Sequence, residues 1–199
     1  MPRSEARIFS SAWQDQDFLA LSRSAQGTYF FLLSQPDLSY CGVIPLRLPR
    51  WASKAEGFSI DALRADLEEL SDGPKPLIVI DENAGELLIR SLVRNDGVWK
   101  QPNLLKSARE SAEMIESREI KTVILSELHR IPIEQSSSDL VKEVLAGFIA
   151  DLEGVSDTRP TDPSANPSGK GSEEGSGNPS ADPSSNPSQG KGGSNGSTE

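Results

Sequence analysis

The residues best suited to chemistry in this sequence are basic side chains at spacings that bring them together. Arg47, Arg50 and Lys54 are spaced i, i+3 and i+7, which places them on one stripe of a helix. Arg90 and Arg94 lie four residues apart in a run typical of a strand, where that spacing puts both on the same side. Guanidinium and ammonium groups bind phosphate, so both clusters are candidate contacts with a nucleic-acid backbone.

Other basic residues extend these clusters along the chain. The candidate DNA-binding residues are Arg47, Arg50, Lys54, Arg64, Arg90, Arg94, Lys100, Lys106 and Arg109. Trp99 lies among them and either packs on a sugar or base or belongs to the core, where Trp is usually well buried. The formal net charge is −10, so the chain as a whole does not attract DNA and any contact must come from a local patch.

Most catalytic and metal-binding chemistry is excluded by composition. Cys41 is the only cysteine and His129 the only histidine, so the chain has no internal disulfide and no Cys/His metal cluster. Cys41 is expected to be a small buried residue, and His129 to be structural or exposed. No glycine-rich phosphate loop follows a strand. We therefore expect no enzyme activity, no cofactor and no metal.

The elements that would position the basic residues follow from periodicity between residues 40 and 103. A short strand precedes a helix that starts at Leu48 and is ended by Gly57. Ser59 is the expected N-cap of a second helix. Two apolar runs, 77–80 and 87–93, flank a five-residue bend and predict a hairpin. Strand, helix, turn, helix and hairpin is the winged-helix order. The residues expected to face inward on the two helices are Leu48, Trp51, Ala52, Ala55, Ile60, Leu63, Leu67 and Leu70.

The flanking segments are predicted to be mostly helical. Residues 7–9 are expected to form a short strand and 13–21 a short helix, and a longer helix runs from Ser22 or Ser24 towards Pro36. Three more helices follow the hairpin: one capped by Asn103, one over 117–129, and one capped by Ser138 that ends near Leu152. Their expected inward residues are Leu104, Ala108, Ala112, Ile115, Ile120, Ile124, Leu128, Leu140, Val144, Leu145, Phe148 and Leu152.

From residue 154 onward Gly, Pro and Ser dominate, and a segment this poor in apolar residues is expected to be disordered. The triplet Asp/Asn-Pro-Ser recurs there at 162–164, 166–168, 178–180, 182–184 and 186–188, at intervals that are multiples of four residues. Either the repeat expanded without structural constraint, or the register is kept in the gene, where the repeats would be binding sites for the protein itself. Free variation of synonymous codons among the repeats would exclude the second explanation.

The sequence therefore predicts a mainly α protein with a small β-wing. Residues 1–102 form a winged helix-turn-helix domain, 103–153 a helical extension and 154–199 a disordered tail. The chain start has no apolar stretch suited to a signal peptide, and no run of apolar residues is long enough to span a membrane, so a soluble, cytoplasmic protein is expected.

The second helix of the motif is acidic for a helix that enters the major groove. It carries Asp61, Arg64, Asp66, Glu68 and Glu69, which the periodicity places on its outer side with a net charge of −3. Carboxylates are repelled by phosphates, and among base edges only the cytosine amino group suits them. The flanking basic clusters, rather than this helix, are therefore expected to meet the duplex.

Several segments resemble a known family. These are MPRSEARIF (1–9), FLLSQPDLSYCGVIPL (31–46), RWA (50–52) and LVRNDGVWKQPNLLKSARES (92–111), with VRNDGVWKQPN (93–103) the most specific. Together they are similar to winged-helix proteins of actinobacterial phages and prophage-like elements, a group that includes replisome organisers and replication initiators. The resemblance implies binding to an origin on the element's own genome and recruitment of a host helicase or its loader. It suggests no catalytic residues.

The leading hypothesis is a sequence-specific protein that binds double-stranded DNA as a replication initiator or replisome organiser. A symmetric DNA site would require a homodimer, which the extension could supply. One alternative is a winged-helix transcriptional regulator. The other is a protein-interaction adaptor that binds through its acidic helix and does not touch DNA.

Overall fold

The computed structural model describes residues 7–54, 56, 58–135 and 138–156 of this protein. They are mainly helical, with a small antiparallel sheet. The helices are α1 (Gln16–Leu19), α2 (Arg23–Leu33), α3 (Leu48–Ala52), α4 (Ile60–Ser71), α5 (Leu92–Asn95), α6 (Pro102–Glu113), α7 (Arg118–His129) and α8 (Asp139–Ser156). The strands are β1 (Val43–Pro45), β2 (Ile78–Asp81) and β3 (Glu86–Ile89). The segment from residue 157 onward, most of the predicted tail, lies outside the described residues, as do Ala55 and Gly57.

The sheet is buried on both faces. Its order is β1-β3-β2, with Val43 and Val79 both opposite Leu88 of the central strand. Successive side chains of a strand point to opposite faces, so Leu87 and Ile89 enter one hydrophobic cluster and Leu88 the other. Each fully buried side chain of this size contributes about 1.5–3 kcal/mol, which explains why the sheet needs a helical layer on each side.

The first layer consists of α2, α3 and α4. The hydroxyl of Ser59 caps α4, as the sequence predicts, and Ser22 rather than Ser24 caps α2; they accept from the backbone N–H groups of Ala62 and Ala25. The predicted inward residues Leu63, Leu67 and Leu70 are buried in the same cluster as Leu87 and Ile89 of β3. Ile60, which was also predicted to face inward, is instead 40% exposed. It is the first residue of α4.

The second layer consists of α6, α7 and α8, and it covers the other face of the sheet. The hydroxyl of Ser117 caps α7, and the predicted inward residues Ile120, Ile124 and Leu128 are buried. They share a cluster with Val43 and Leu88 of the sheet and with Phe148 of α8. Residues on both sides of the predicted boundary between 102 and 103 thus contribute to one core.

Two helical registers differ from the prediction. In α6 the buried leucine is Leu105 instead of Leu104, because Leu105 lies three and seven residues before Ala108 and Ala112 on the buried stripe. The helix begins at Pro102, so the predicted cap Asn103 lies inside it. In α8 Val141 is buried and Leu140 is 46% exposed, because Val141 continues the stripe formed by the later inward residues. α8 also continues to Ser156, past the predicted start of the tail at residue 154.

Four predicted elements are shorter or absent. The helix predicted over 13–21 is reduced to α1 (Gln16–Leu19). Residues 7–9 form no strand, and Ile8 and Phe9 are exposed. α3 ends at Ala52, so Lys54 lies in the turn that follows. β3 ends at Ile89, where the chain turns into α5, although the apolar run continues to Val93. In α3 and β3 the apolar spacing continues beyond the last residue of the element. No helix among the described residues combines the length and hydropathy that a membrane crossing requires.

Candidate nucleic-acid interface

Arg47 and Arg50 lie together beside the acidic residue Asp37. Arg47 is the N-cap residue of α3 and Arg50 is in its last turn, so the predicted helical stripe with Lys54 does not form. Instead, Arg47 Nη1 lies 3.0 Å and Arg50 Nη1 3.6 Å from Asp37 Oδ2. All three side chains are about half exposed, and such ion pairs are typically worth about 0–1 kcal/mol. Two arginines share one carboxylate, which leaves one positive charge at the surface.

Arg64 joins α4 to the turn of the β2–β3 hairpin. Its Nη1 atom lies 2.9 Å from Glu82 Oε1, and both side chains are exposed. The backbone N–H of Leu46, the residue before Arg47, donates to the carbonyl oxygen of Gly85 in the same turn at 2.7 Å. The hairpin turn (residues 82–85) is therefore next to both Arg47 and Arg64. We call Arg47, Arg50 and Arg64 the front arginines.

The outer face of α4 is less acidic than the sequence predicts. Asp66, predicted to face outward, is only 5% exposed and accepts from Thr28 Oγ1 at 2.6 Å and Ser24 Oγ at 2.9 Å. Glu69 is half-buried and accepts from the backbone N–H and the hydroxyl of Ser22, and these hydrogen bonds lower the pKa of its carboxyl group. Both carboxylates therefore fasten α4 to α2.

The exposed charged residues of α4 are Asp61, Arg64 and Glu68. The predicted net charge of −3 for the outer face was thus wrong, because two of its four acids are used in contacts within the fold. The donors of these hydrogen bonds are neutral, so the contacts turn the two acids towards α2 without cancelling negative charge on α4.

Substituting Asp66 by alanine is expected to lower the free energy of unfolding by about 2 kcal/mol, since it leaves the buried hydroxyl of Thr28 without its acceptor. Urea unfolding of the full chain measures this. Glu68→Ala, an exposed acid in the same helix, is the matched control and is expected to change stability by less than about 0.5 kcal/mol. Equal effects of the two substitutions would show that Asp66 is not a structural residue.

Arg90 and Arg94 meet at one buried carboxylate and not on one strand. Arg90 lies in the turn after β3 and Arg94 in α5, so the prediction that both lie on the second hairpin strand was wrong. Their Nε atoms lie 3.1 and 3.0 Å from the two oxygens of Glu127, which is 1% exposed. Arg130 reaches the same carboxylate at 2.9 Å. We call Arg90, Arg94 and Arg130 the Glu127 arginine cluster.

The remaining candidates belong to neither group of arginines. Arg109 of α6 pairs with Asp151 of α8, with Nη2 3.0 Å from Oδ1. The guanidinium group of Arg109 passes over Gly147 of α8. A Cβ atom at that position would lie 2.5 Å from Arg109 Nη1, so glycine leaves room for this contact. Lys54 and Lys106 are exposed and have no carboxylate partner among the described residues. The charge of Arg109 is thus engaged in holding α6 to α8.

Trp99 belongs to the core, one of the two interpretations that the sequence left open. It is 5% exposed, and its Nε1 donates to the carbonyl oxygen of Arg94 at 3.0 Å. A ring this buried cannot stack on a base. Lys100 lies 5.4 Å from the ring centroid in a cation–π contact, so its ammonium group is held at the protein surface.

The sequence interpretation missed two charged residues, Glu127 and Arg130, and placed a third, Asp66, on the wrong side of its helix. The sequence does contain a signal for the two acids, because each falls on an apolar stripe. Glu127 falls on the apolar stripe of α7, seven residues after Ile120 and three after Ile124. Asp66 falls on the stripe of α4, between Leu63 and Leu70. A carboxylate at a core position must find hydrogen-bond donors or cations, because burying it alone is prohibitively costly.

Cys41 and His129 are the only cysteine and histidine of the chain. Cys41 is buried, and burial raises the pKa of its thiol, so the prediction that it is a small packing residue is confirmed. His129 is exposed at the end of α7, 3.7 Å from Glu153. Within the described ranges, no group of His, Cys, Asp or Glu residues is placed to hold a metal ion.

Comparisons of the chain with protein-family models, with curated proteins and with solved structures found no match. The resemblance of the sequence to winged-helix proteins of actinobacterial phages therefore stays a prediction.

Proposed function

We propose that the segment from α2 to β3 is a winged helix-turn-helix unit that binds double-stranded DNA. In this unit α4 is the helix that faces the groove, and the hairpin turn is the wing. The order α2, β1, α3, α4, β2, β3 and the sheet order β1-β3-β2 support this assignment. In helix-turn-helix proteins the second helix of the motif enters the major groove and its N-terminal residues contact base edges.

The observation that carries the proposal is the contact between Arg64 of α4 and Glu82 of the hairpin turn. It places an exposed arginine of the candidate groove helix at the tip of the candidate wing. A duplex that approaches α4 would meet this arginine together with Arg47, which follows the residue bonded to the same turn, and Arg50, which shares Asp37 with Arg47. The front arginines would then contact backbone phosphates, while the N-terminal part of α4 reaches the bases.

The carboxylates that now hold the front arginines do not prevent this role. Asp37 and Glu82 are exposed, so their ion pairs contribute little and exchange readily for a phosphate. Guanidinium groups match phosphate with two parallel hydrogen bonds, whereas each of these ion pairs is made through one terminal nitrogen of the arginine. Three phosphate contacts give a slope of log affinity against log salt of about −3. DNA binding should therefore be moderate in affinity and clearly dependent on salt.

Arg64→Gln is expected to weaken DNA binding roughly tenfold, because a hydrogen bond between charged groups is lost, and to make the salt slope shallower by about one. Glu82→Gln is expected to have the opposite effect, since it removes a carboxylate that competes for Arg64 and repels phosphate. Fluorescence anisotropy measures both, with duplexes from the gene and its flanks and with random duplexes, between about 50 and 200 mM salt.

Lys142→Gln is the matched control for these variants. Lys142 is exposed in the first turn of α8, outside the proposed helix-turn-helix unit, and its substitution removes the same charge. Binding that responds equally to Arg64→Gln and Lys142→Gln would reflect net charge alone and contradict the proposed surface. Weaker DNA binding by Glu82→Gln would also contradict the proposed surface.

The finer role, in replication rather than transcription, rests on the sequence resemblance. An initiator or replisome organiser is expected to bind an origin and to recruit a helicase or its loader, whereas a transcriptional regulator is expected to bind near promoters. Mapping the bound sites on the genome distinguishes the two. Sites inside the protein's own gene, at the codons for the Asp/Asn-Pro-Ser triplets, would favour initiation.

A protein-interaction adaptor is the second candidate function, and the surface of α4 favours it specifically. The exposed face of this helix carries the apolar side chain of Ile60, 40% exposed, beside Asp61 and near Glu68. Apolar and acidic groups on one helix face suit a protein partner better than a phosphate backbone. An adaptor would retain a helicase loader in nuclease-treated lysate and show no DNA shift, and Ile60→Ala would weaken that capture.

A further inference from the structure

The Glu127 arginine cluster carries more positive charge than its partner can neutralise. Glu127 Oε1 accepts from Arg90 Nε at 3.1 Å and from Arg130 Nη1 at 2.9 Å, and Oε2 accepts from Arg94 Nε at 3.0 Å. One carboxylate thus faces three guanidinium groups, with a surplus of two positive charges. The C-terminal end of α7 offsets about half a charge of this surplus. We propose that the cluster is an anion site that binds a phosphate group.

The arginines retain hydrogen-bond donors for a second anion. A guanidinium group has five N–H donors in a planar fork, and the contacts within the described residues use one nitrogen of each arginine. The terminal nitrogens of Arg90 and Arg94 and the second terminal nitrogen of Arg130 are therefore available. Forks of this kind match tetrahedral oxyanions, which accept several N–H groups at once.

The cluster is held in place and is still reachable from solvent. Glu127 is 1% exposed, whereas exposure rises from 21% for Arg90 to 33% for Arg94 and 53% for Arg130. The buried carboxylate fixes the inner ends of the guanidinium groups, so little side-chain entropy remains to be lost when an anion binds. Rigid donors with one open side are the arrangement expected of a binding site rather than of a purely structural ion pair.

This site is separate from the surface proposed to bind DNA. Arg90 follows Ile89, at the end of β3 opposite the hairpin turn, and four strand residues span about 13 Å. Arg94 and Arg130 come from α5 and from the residue after α7, neither of which lies in the proposed helix-turn-helix unit. The phosphate could belong to a small phosphorylated molecule or to a nucleic-acid backbone that contacts the protein at a second place.

The test uses inorganic phosphate and the full chain. Phosphate is expected to raise the melting temperature more than chloride at equal ionic strength, and calorimetric titration gives its affinity. Arg130→Gln is expected to weaken phosphate binding roughly tenfold, because one charged hydrogen-bonding group is lost. Arg130→Lys retains the charge but not the planar fork of donors. Its phosphate affinity is expected to lie between that of Arg130→Gln and that of the unmodified chain. Arg118→Gln, at the other end of α7, is the control and is expected to bind phosphate as the unmodified chain does.

A DNA arm identifies the source of the phosphate. If phosphate competes with DNA and Arg130→Gln reduces the salt slope of DNA binding by about one, the site takes a backbone phosphate. If Arg130→Gln weakens phosphate binding alone, the site takes a small phosphorylated molecule. Equal melting temperatures in phosphate and chloride, or equal effects of Arg130→Gln and Arg118→Gln on phosphate affinity, would overturn the proposal. The phosphate arm contains no DNA, so its outcome is independent of the proposed function.

Discussion

Glu127→Ala is expected to lower the free energy of unfolding by about 3 kcal/mol. The substitution removes the common acceptor of three guanidinium groups and leaves like charges facing one another across a cavity. Breaking a buried ion pair from one side typically costs about 3–5 kcal/mol. The lower end of this range applies because Arg94 and Arg130 are partly exposed and can turn towards water. Urea unfolding of the full chain, with the slope checked for constancy, measures the loss.

Glu119→Ala supplies the control for this change. Glu119 lies in the same helix and is exposed, so its substitution is expected to change stability by less than about 0.5 kcal/mol. A loss below about 1 kcal/mol for Glu127→Ala would mean that the arginines are held by other contacts and that the carboxylate does not organise them. Glu127 would then also lose its role in fixing the proposed anion site.

Phe148→Ala is expected to be similarly damaging, with a loss of about 4 kcal/mol. Phe148 of α8 is fully buried in the cluster that joins the second helical layer to Leu88 of the sheet. Truncating a buried phenylalanine typically costs about 3–5 kcal/mol, because the apolar contacts disappear and a cavity remains. Leu140→Ala in the same helix, where the side chain is 46% exposed, is expected to cost far less.

The same experiment tests whether the two helical layers unfold together. Trp51 reports on the layer of α2–α4 and Trp99 on the layer of α6–α8, since each is buried in the corresponding cluster. With the third tryptophan, Trp13, changed to Phe in both cases, single-tryptophan variants are expected to give coincident transitions because both layers share β3. A separate, earlier transition of Trp99 that is shifted by Phe148→Ala alone would instead show a helical extension that folds independently of the first layer.

The function proposed here depends on fewer free charges than the sequence suggested. Six of the nine candidate cations, all of them arginines, have a carboxylate partner within the fold. The front arginines form exposed ion pairs in which a phosphate can replace the carboxylate. Arg90 and Arg94 are instead anchored on the buried Glu127. Burial of the partner therefore separates the arginines proposed for DNA from those proposed for a second anion.

The helices and their caps were predictable because they depend on local physics. Ser59 caps α4 as predicted and Ser22, one of the two serines predicted to open α2, caps that helix, since a hydroxyl three residues before a free N–H group needs no long-range partner. The predicted cap Asn103 was wrong, because α6 already begins at Pro102. The inward residues of α4 and α7 also follow from the helical period, which any helix beside a core must obey. The ends of α3 and β3 were not predictable, because their apolar patterns continue after tertiary packing has turned the chain.

The sequence by itself determined the order of elements, their apolar faces and the absence of a second cysteine or histidine for catalysis or metal binding. Only the tertiary structure decided which charges face solvent. Asp66 and Glu127 lie far along the chain from the groups that neutralise or hydrogen-bond them, such as Thr28 and Arg90. Periodicity assigns a residue to a face of its own element but does not specify what that face meets. The pairing of charges depends on distances between elements, and these are fixed only when both faces of the sheet are covered.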